Sequence, residues 1–265
     1  MPAPSRSHRN LLPSTNAALE ALEAATGKPV TIVEDPELNV AATMRRARAS
    51  EASHILRRRG GSGSDPEADY LITFQCRMAL RDVAAEEAAG RRQAFADLPA
   101  VIHRMIAEIQ ALYPDMAPVK TLELGQMMVS GLLLQLRSMG PGMVVDHWIR
   151  EHCPDLRQSQ EEHITSQING NLAALQAGSR EQFPAELYDS SVRMNGAYAV
   201  FGAELLGRPH LAVPYLSQGY GPIARQLIAH AFPQGQEPPR DREIIDGWAR
   251  ALGLEGWYEW VEVPE

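Results

Sequence analysis

Cysteine is scarce in this sequence, and its placement excludes two common kinds of stabilisation. The chain has 265 residues and only two cysteines, Cys76 and Cys153, which lie far apart and outside any CxxC pair. We therefore expect neither a disulfide framework nor a cysteine-rich zinc site. Reduced thiols fit the cytoplasm, where we expect the protein, and no apolar stretch of the kind that a secretion signal requires is visible near the start.

The sequence also lacks a hydrophobic run long enough to cross a membrane. Its longest apolar stretch, residues 122–136, is interrupted by Glu123, Gln126 and Gln135, whereas a membrane-spanning helix needs roughly twenty apolar residues. We expect a buried helix there and no membrane association. Hydrophobic residues make up 45% of the chain and charged residues 22%, which is typical of a folded globular protein.

Intact catalytic and nucleotide-binding motifs are missing as well. The string closest to the serine hydrolase pattern GxSxG, residues 60–64, lacks the final glycine. The Gly27-Lys28 pair is followed by Pro29, and no glycine stands five positions before Gly27, so there is no P-loop. A GxGxxG fingerprint is absent too. Residues 60–66 instead resemble a flexible linker, either native or engineered.

Basic residues are concentrated in the first sixty positions, although the net charge of the whole chain is −8. A basic cluster of this kind can contact phosphates, but no nucleic-acid recognition motif accompanies it and the rest of the chain is acidic. We therefore expect its members to form ion pairs within the protein or to bind an acidic protein partner, in preference to nucleic acid. The cluster consists of Arg45, Arg46, Arg48, Arg57, Arg58 and Arg59.

The periodicity of apolar residues predicts a predominantly α-helical α+β fold with a small sheet of two or three strands. In the N-terminal third we predict a helix ended by Gly27, a strand over residues 29–33, a helix over 40–49, a strand over 52–58 and a helix over 69–89. The alternating, aromatic segment 257–263 predicts a further strand that joins the two N-terminal ones. The remaining predicted helices are 98–113, 118–138, 142–152, 155–177, 184–206, 218–231 and 240–252.

These elements suggest a division of the chain into three parts. Residues 1–14 are interpreted as a flexible arm, residues 15–90 as a small α+β subdomain, and residues 91–265 as a helical subdomain packed on it. A single large domain is the alternative. The oligomeric state stays open.

Histidines offer the only hint of a metal site. His147, Glu151, His152 and His163 lie close together in the sequence, and imidazole and carboxylate groups are common zinc ligands. However, His147 and His152 are five residues apart and so point in different directions from one helix, whereas His147 and Glu151 share a face. We expect no cofactor, and zinc only if distant segments complete this group.

The predicted helix that follows the N-terminal strands reads YLITFQCRMAL over residues 70–80. Its position after a helix and strands resembles the core of minimal zinc metallopeptidases of the gluzincin class over residues 15–90, in which this helix carries the HExxH motif. The resemblance places Phe74 at the first histidine of that motif, Gln75 at its glutamate and Met78 at its second histidine. Phe74 cannot bind zinc and Gln75 cannot act as a general base, which implies a scaffold without peptidase chemistry.

Methionines are the last notable feature of the sequence. Met side chains fill irregular gaps in cores and also line adaptable binding grooves, and both interpretations apply to Met127, Met128, Met139, Met143 and Met194.

Together these observations predict a noncatalytic protein-interaction or regulatory protein. One alternative is a metal-dependent hydrolase that uses His147, Glu151, His152 and His163. The other is a nucleic-acid accessory factor that uses the arginine cluster.

Overall fold

The computed structural model describes residues 11–60, 65–89, 93–234 and 240–262. It confirms a predominantly helical α+β fold, and the described residues contain one sheet of three strands and one of two. Most of the predicted arm and most of the linker-like loop, residues 1–10 and 61–64, lie outside the described residues. No helix among the described residues is long and apolar enough to cross a membrane.

The chain forms two compact units, and the boundary between them falls inside two helices. Unit 1 contains the described residues up to position 89 together with residues 145–163. Unit 2 contains the described residues of 91–144 and 164–264. Unit 1 is thus built from two separate stretches of the chain.

Unit 1 contains a three-stranded sheet and two helices that pack against each other. Strands β1 and β3 are parallel, and β2 pairs with β3 in the antiparallel direction, so the order is β1-β3-β2. Leu19, Leu22, Leu56 and Ile72 form the fully buried centre of its apolar core. The elements are α1 (Pro13–Thr26), β1 (Val30–Glu34), β2 (Ala42–Arg45), β3 (His54–Arg58) and α2 (Pro66–Ala89).

The helix predicted over residues 40–49 is wrong, because this segment contains strand β2. Alanine, methionine and arginine favour helices when taken alone. Here Ala42–Arg45 pairs with β3 on one side, and the side chain of Gln75 bonds to its backbone on the other. Pairing on both edges outweighs the local preference.

Unit 2 is mainly helical, and its two-stranded sheet corrects a second prediction. Within the segment predicted as a strand, Tyr258–Glu262 does form one, but it pairs with β4 and not with the N-terminal strands. The rings of Phe95 and Tyr258 stack with their centroids 4.2 Å apart. The last part of α4 and the first part of α5, within residues 145–163, belong to unit 1. The elements are β4 (Gln93–Asp97), α3 (Pro99–Leu112), α4 (Pro118–His152), α5 (Arg157–Asn171), α6 (Ala185–Leu206), α7 (Val213–Leu216), α8 (Gly221–Ala231), α9 (Asp241–Leu252) and β5 (Tyr258–Glu262).

Two helix boundaries also differ from the prediction. The predicted helices 118–138 and 142–152 are one helix, α4, which continues through Pro141. The predicted helix 155–177 is broken into a 3-10 turn at Pro154–Leu156, helix α5 and a second 3-10 turn at Leu172–Leu175. Proline costs helix stability but does not forbid a helix whose sides are held by packing.

Small residues set how closely the helices of unit 2 approach one another. A methyl group added at Gly140 would lie 2.7 Å from Ile244 Cγ2, and one added at Gly202 would lie 2.8 Å from Ile168 Cδ1. Gly207 has a different role, because it ends α6 with a φ of 65° that favours glycine. The core here depends on shape more than on hydrogen bonding.

Candidate functional site

The three positions that correspond to the metallopeptidase motif lie on α2 and serve the packing of unit 1. Phe74 and Met78 pack against a buried cluster formed by Tyr70, Val145, Ile149, Cys153 and Leu156. Gln75 is held by β2: its Nε2 donates to the carbonyl of Ala42 at 3.1 Å, and the amide of Met44 donates to its Oε1. Gln75 therefore provides hydrogen-bond partners for one backbone carbonyl and one backbone amide of β2 that β3 does not use.

A buried polar group lies in the same unit, and no sequence motif predicts it. Asp146 is only 1% exposed and accepts a hydrogen bond from the hydroxyl of Tyr70 at 2.6 Å. The Nε2 of Gln160 donates to the Asp146 carbonyl at 2.7 Å. His163 packs over the Tyr70 ring with a centroid distance of 5.0 Å. Burial lowers the pKa of His163, so the neutral imidazole is favoured in the fold.

The other members of the histidine group have separate partners. The Nδ1 of His147 lies 3.5 Å from Oε2 of Glu151, one helical turn further along. His152 instead stacks on the ring of Trp148 at 4.6 Å, and its Nδ1 lies 2.9 Å from the Trp148 carbonyl. Within the part of the chain that the structure describes, no three His, Cys, Asp or Glu side chains are grouped so that they could hold a metal ion.

Five of the six clustered arginines form ion pairs inside unit 1, and all of their partners are carboxylates of the same unit. The remaining member, Arg48, offers its carbonyl to Nζ of Lys28 at 2.5 Å. The positive charge is therefore largely balanced locally. The pairs are Arg45 with Glu51, Arg46 with Glu86, Arg57 with Asp35, Arg58 with Glu34, and Arg59 with Glu67.

Unit 2 contains an open apolar cavity of about 220 Å³ between α4, α6 and the chain segment that precedes α6. Met128, Leu132, Leu187 and Val192 are among its apolar walls, and its mouth is bordered by Met127 and Phe183, which are 64% and 39% exposed. The full lining is Met127, Met128, Gly131, Leu132, Gln135, Ala174, Phe183, Leu187, Tyr188, Ser191 and Val192.

The polar side chains that line this cavity already bond to protein groups. Nε2 of Gln135 donates to Oδ1 of Asn195 at 2.8 Å, and its Oε1 accepts from the hydroxyl of Ser191 at 2.9 Å. The hydroxyl of Tyr188 donates to the carbonyl of Ala174 at 2.7 Å. Because these groups have partners, the cavity presents mainly hydrocarbon to an occupant.

A group of tyrosines lies next to this region. Tyr215 is fully buried, and its hydroxyl has no hydrogen-bond partner in the described part of the chain. Burial, followed by the neighbouring hydroxyls of Tyr188 and Tyr220, raises the pKa of Tyr215 to about 12. The phenol is therefore neutral at physiological pH.

Of the residues that the sequence marked as candidates for a binding groove, only Met127 and Met128 line the cavity. Phe183, Leu187, Ser191 and the other lining residues outside α4 had no local signal, because they are distant in the chain from the two methionines. Comparison with protein-family models, curated proteins and solved structures finds no match to this chain. The resemblance to gluzincins therefore stays a prediction.

Proposed function

We propose that this protein is a noncatalytic interaction protein, and that the cavity of unit 2 receives an apolar side chain of a protein partner. The observation that carries this proposal is the cavity itself, with its apolar walls, its internally bonded polar groups and its exposed rim at Met127 and Phe183.

The size of the cavity favours a side chain over a cofactor. Pockets for drug-sized ligands and cofactors usually enclose about 300–1,000 Å³, whereas a cavity of about 150 Å³ holds benzene. The observed volume of about 220 Å³ lies between these values and suits one large apolar side chain. Burying such a side chain stabilises a complex by about 1.5–3 kcal/mol before the costs of association.

The chemistry of the rim fits a protein partner as well. Methionine has an unbranched, polarizable side chain that adapts to different surfaces, and Met127 and Met128 both contribute to the lining. Phe183 adds an aromatic edge beside them. Exposed apolar side chains that border a concave surface are typical of protein-binding sites.

The geometry of unit 1 supports a scaffold role for the α2 motif positions. Phe74 and Met78 contribute packing, and Gln75 bonds to β2. We propose that unit 1 belongs to a metallopeptidase-like scaffold that has lost its chemistry. The ion-paired arginines favour a protein partner over nucleic acid. Two free, buried thiols, Cys76 and Cys153, suit the cytoplasm.

The proposal is tested by filling the cavity and reading out contact with a partner. Gly131 lines the cavity, and a methyl group added to it would meet no atom within 4 Å. Gly131→Leu should therefore block the cavity without disturbing the fold. The matched control is Gly170→Leu, another helical glycine with open space around it.

In the wild-type chain and in both variants, Met128 is replaced by a photoreactive diazirine analogue. Each full chain is then irradiated in its native cells. We expect one cross-linked adduct with a protein other than a second copy of this chain, and we expect Gly131→Leu to remove it and Gly170→Leu to retain it. An adduct that survives Gly131→Leu, or the absence of any adduct, contradicts the proposal. A small apolar compound that co-purifies with the wild type and is lost from Gly131→Leu would replace the protein partner with a small ligand.

A further inference from the structure

The outer face of α4 carries an exposed stripe of five residues that is distinct from the cavity lining except at Met127. Its members follow one another in alternating steps of four and three residues, and all of them are exposed. This is the spacing of the contact seam between two packed helices. The stripe consists of Glu123, Met127, Ser130, Leu134 and Arg137.

Within the described part of the chain, no element covers the apolar members of the stripe. Met127 is 64% exposed and Leu134 is 54% exposed. Single exposed apolar residues are common on protein surfaces, but Met127 and Leu134 share one face of α4 at the heptad spacing of a seam between two helices. Ser130, a small residue, lies between them along the stripe.

We propose that two copies of this chain associate through this stripe, with their α4 helices packed antiparallel about a two-fold axis near Ser130. In this arrangement Met127 of each copy meets Leu134 of the other. The same surface is used on both sides, as a two-fold interface requires.

The charges at the ends of the stripe determine the direction of packing. Antiparallel packing about Ser130 brings Glu123 of one copy to the level of Arg137 of the other, twice per dimer. Parallel packing would place Glu123 beside Glu123 and Arg137 beside Arg137. Within the described residues neither side chain has an ion-pair partner, so both are available to the second copy.

The length of the stripe limits the strength of this association. Its fourteen helical steps span about 21 Å, so the seam alone buries less than the roughly 1,600 Å² of a standard stable interface. We therefore expect a dimer that dissociates in the micromolar range. Self-association should be visible in a concentration series.

The test is a charge-swap cycle on the full chain, followed by sedimentation velocity. Glu123→Arg or Arg137→Glu alone replaces two attractions with two repulsions, and each should weaken dimerisation at least about tenfold. The double variant Glu123→Arg/Arg137→Glu restores opposite charges and should return the dissociation constant to within about threefold of the wild-type value. Glu204→Arg, an exposed change on α6, should have no effect.

The outcomes are unambiguous for each variant that retains the wild-type circular dichroism spectrum. A dimer that the single swaps weaken and the double swap restores supports the proposal. A protein that is monomeric at all concentrations overturns it, and so does a dimer that is insensitive to the swaps. Neither negative result affects the cavity proposal, because that one is read from the adduct at position 128 and its loss in Gly131→Leu.

Discussion

The two units of this chain reach stability by different means. Unit 1 buries many polar side chains, and most of these bond to one another or to the backbone. Unit 2 buries far fewer polar groups in a larger apolar core. The buried polar residues are Thr15, His54, Asp69, Thr73, Asp146, Ser159 and Gln160 in unit 1 and Thr121, Ser190 and Asn195 in unit 2.

The difference in buried polar groups shows that the two units specify their structures in different ways. In unit 1, each buried hydrogen bond fixes which segments meet, because an unpaired polar group in the interior costs about 1–3 kcal/mol. Thr15, for example, donates to the carbonyl of Asp69, while the amide of Leu12 donates to the carboxylate of Asp69. In unit 2, contacts such as Gly140 against Trp248 fix the distance between helices. Unit 1 should therefore respond to changes of polarity and pH, and unit 2 to changes of volume.

The largest effect is expected from added volume in unit 2. The new methyl group in Gly140→Ala would lie 2.7 Å from Ile244 Cγ2 and 3.0 Å from Trp248 Cε2. Since both neighbours are fully buried, the helices must shift, and we expect a loss of about 2–3 kcal/mol in the free energy of unfolding. Gly131→Ala on the same helix should instead gain about 0.5–1 kcal/mol. Urea unfolding of both variants measures the contrast, and equal effects would contradict the volume argument.

The second effect concerns polarity in unit 1. Gln75→Glu preserves the acceptor for the amide of Met44 but removes the donor to Ala42 and places a carboxylate beside its carbonyl. We expect unit 1 to lose about 1–2 kcal/mol, seen as faster hydrogen exchange at β2. Gln126→Glu, an exposed change on α4, is the control. Unchanged exchange at β2 would show that Gln75 does not hold this strand.

The third effect is a dependence of unit 1 on pH through His54. Its Nδ1 accepts a hydrogen bond from the amide of Ala47 at 3.0 Å, so Nε2 carries the proton and lies 2.8 Å from Oγ1 of Thr26. A second proton would break the bond to Ala47. Burial, followed by the positive charges of Arg46 and Lys28, lowers the pKa of His54, against a smaller opposing effect of Glu23.

The sign of the pH effect follows from this lowered pKa. The unfolded chain binds a proton near the ordinary histidine pKa of about 6.5, whereas the folded state resists it. The stability that His54 contributes is therefore present above about pH 6.5 and is lost as the pH falls toward the folded pKa. Unfolding in urea at several pH values should show this decline, and His54→Gln should reduce the slope.

The smallest expected effect on stability concerns a buried polar group in unit 2, the hydroxyl of Tyr215. Because the buried hydroxyl of Tyr215 has no partner among the described residues, Tyr215→Phe should be neutral or stabilise the fold by up to about 1 kcal/mol. Tyr188→Phe removes a hydroxyl that bonds to Ala174 and should cost about 1 kcal/mol. Thermal unfolding compares the two variants, and a destabilised Tyr215→Phe would reveal a partner for that hydroxyl.

Helix prediction succeeded where local signals were complete. Helices α3, α6, α8 and α9 were predicted close to their observed bounds, since proline or glycine marks their ends and apolar residues repeat along them. Strand β2 was predicted as a helix, and β4 was not predicted at all. Short strands depend on their partners, and the partners of β2 include a side chain on a helix that follows 33 residues later in the chain.

The candidate site was far less predictable than the fold. The sequence indicated that Met127 and Met128 either fill a core or line a groove, but it did not choose between these roles. The cavity also needs Leu187, Tyr188 and Ser191, which share no pattern with the methionines. The histidine group, which did have a local signal, resolved into a pair with Glu151 and separate stacking partners.

The sequence by itself determined that the chain is rich in helices and that basic residues are concentrated near one end. It also showed that the two cysteines are too far apart to form a CxxC site. Composition and local periodicity carry this information. Only the tertiary structure decided that residues 145–163 join unit 1, that β5 pairs with β4, and that α4 and α6 enclose a cavity. The physical reason is that these features depend on contacts between segments distant in the chain, whose energies appear only once the chain has folded.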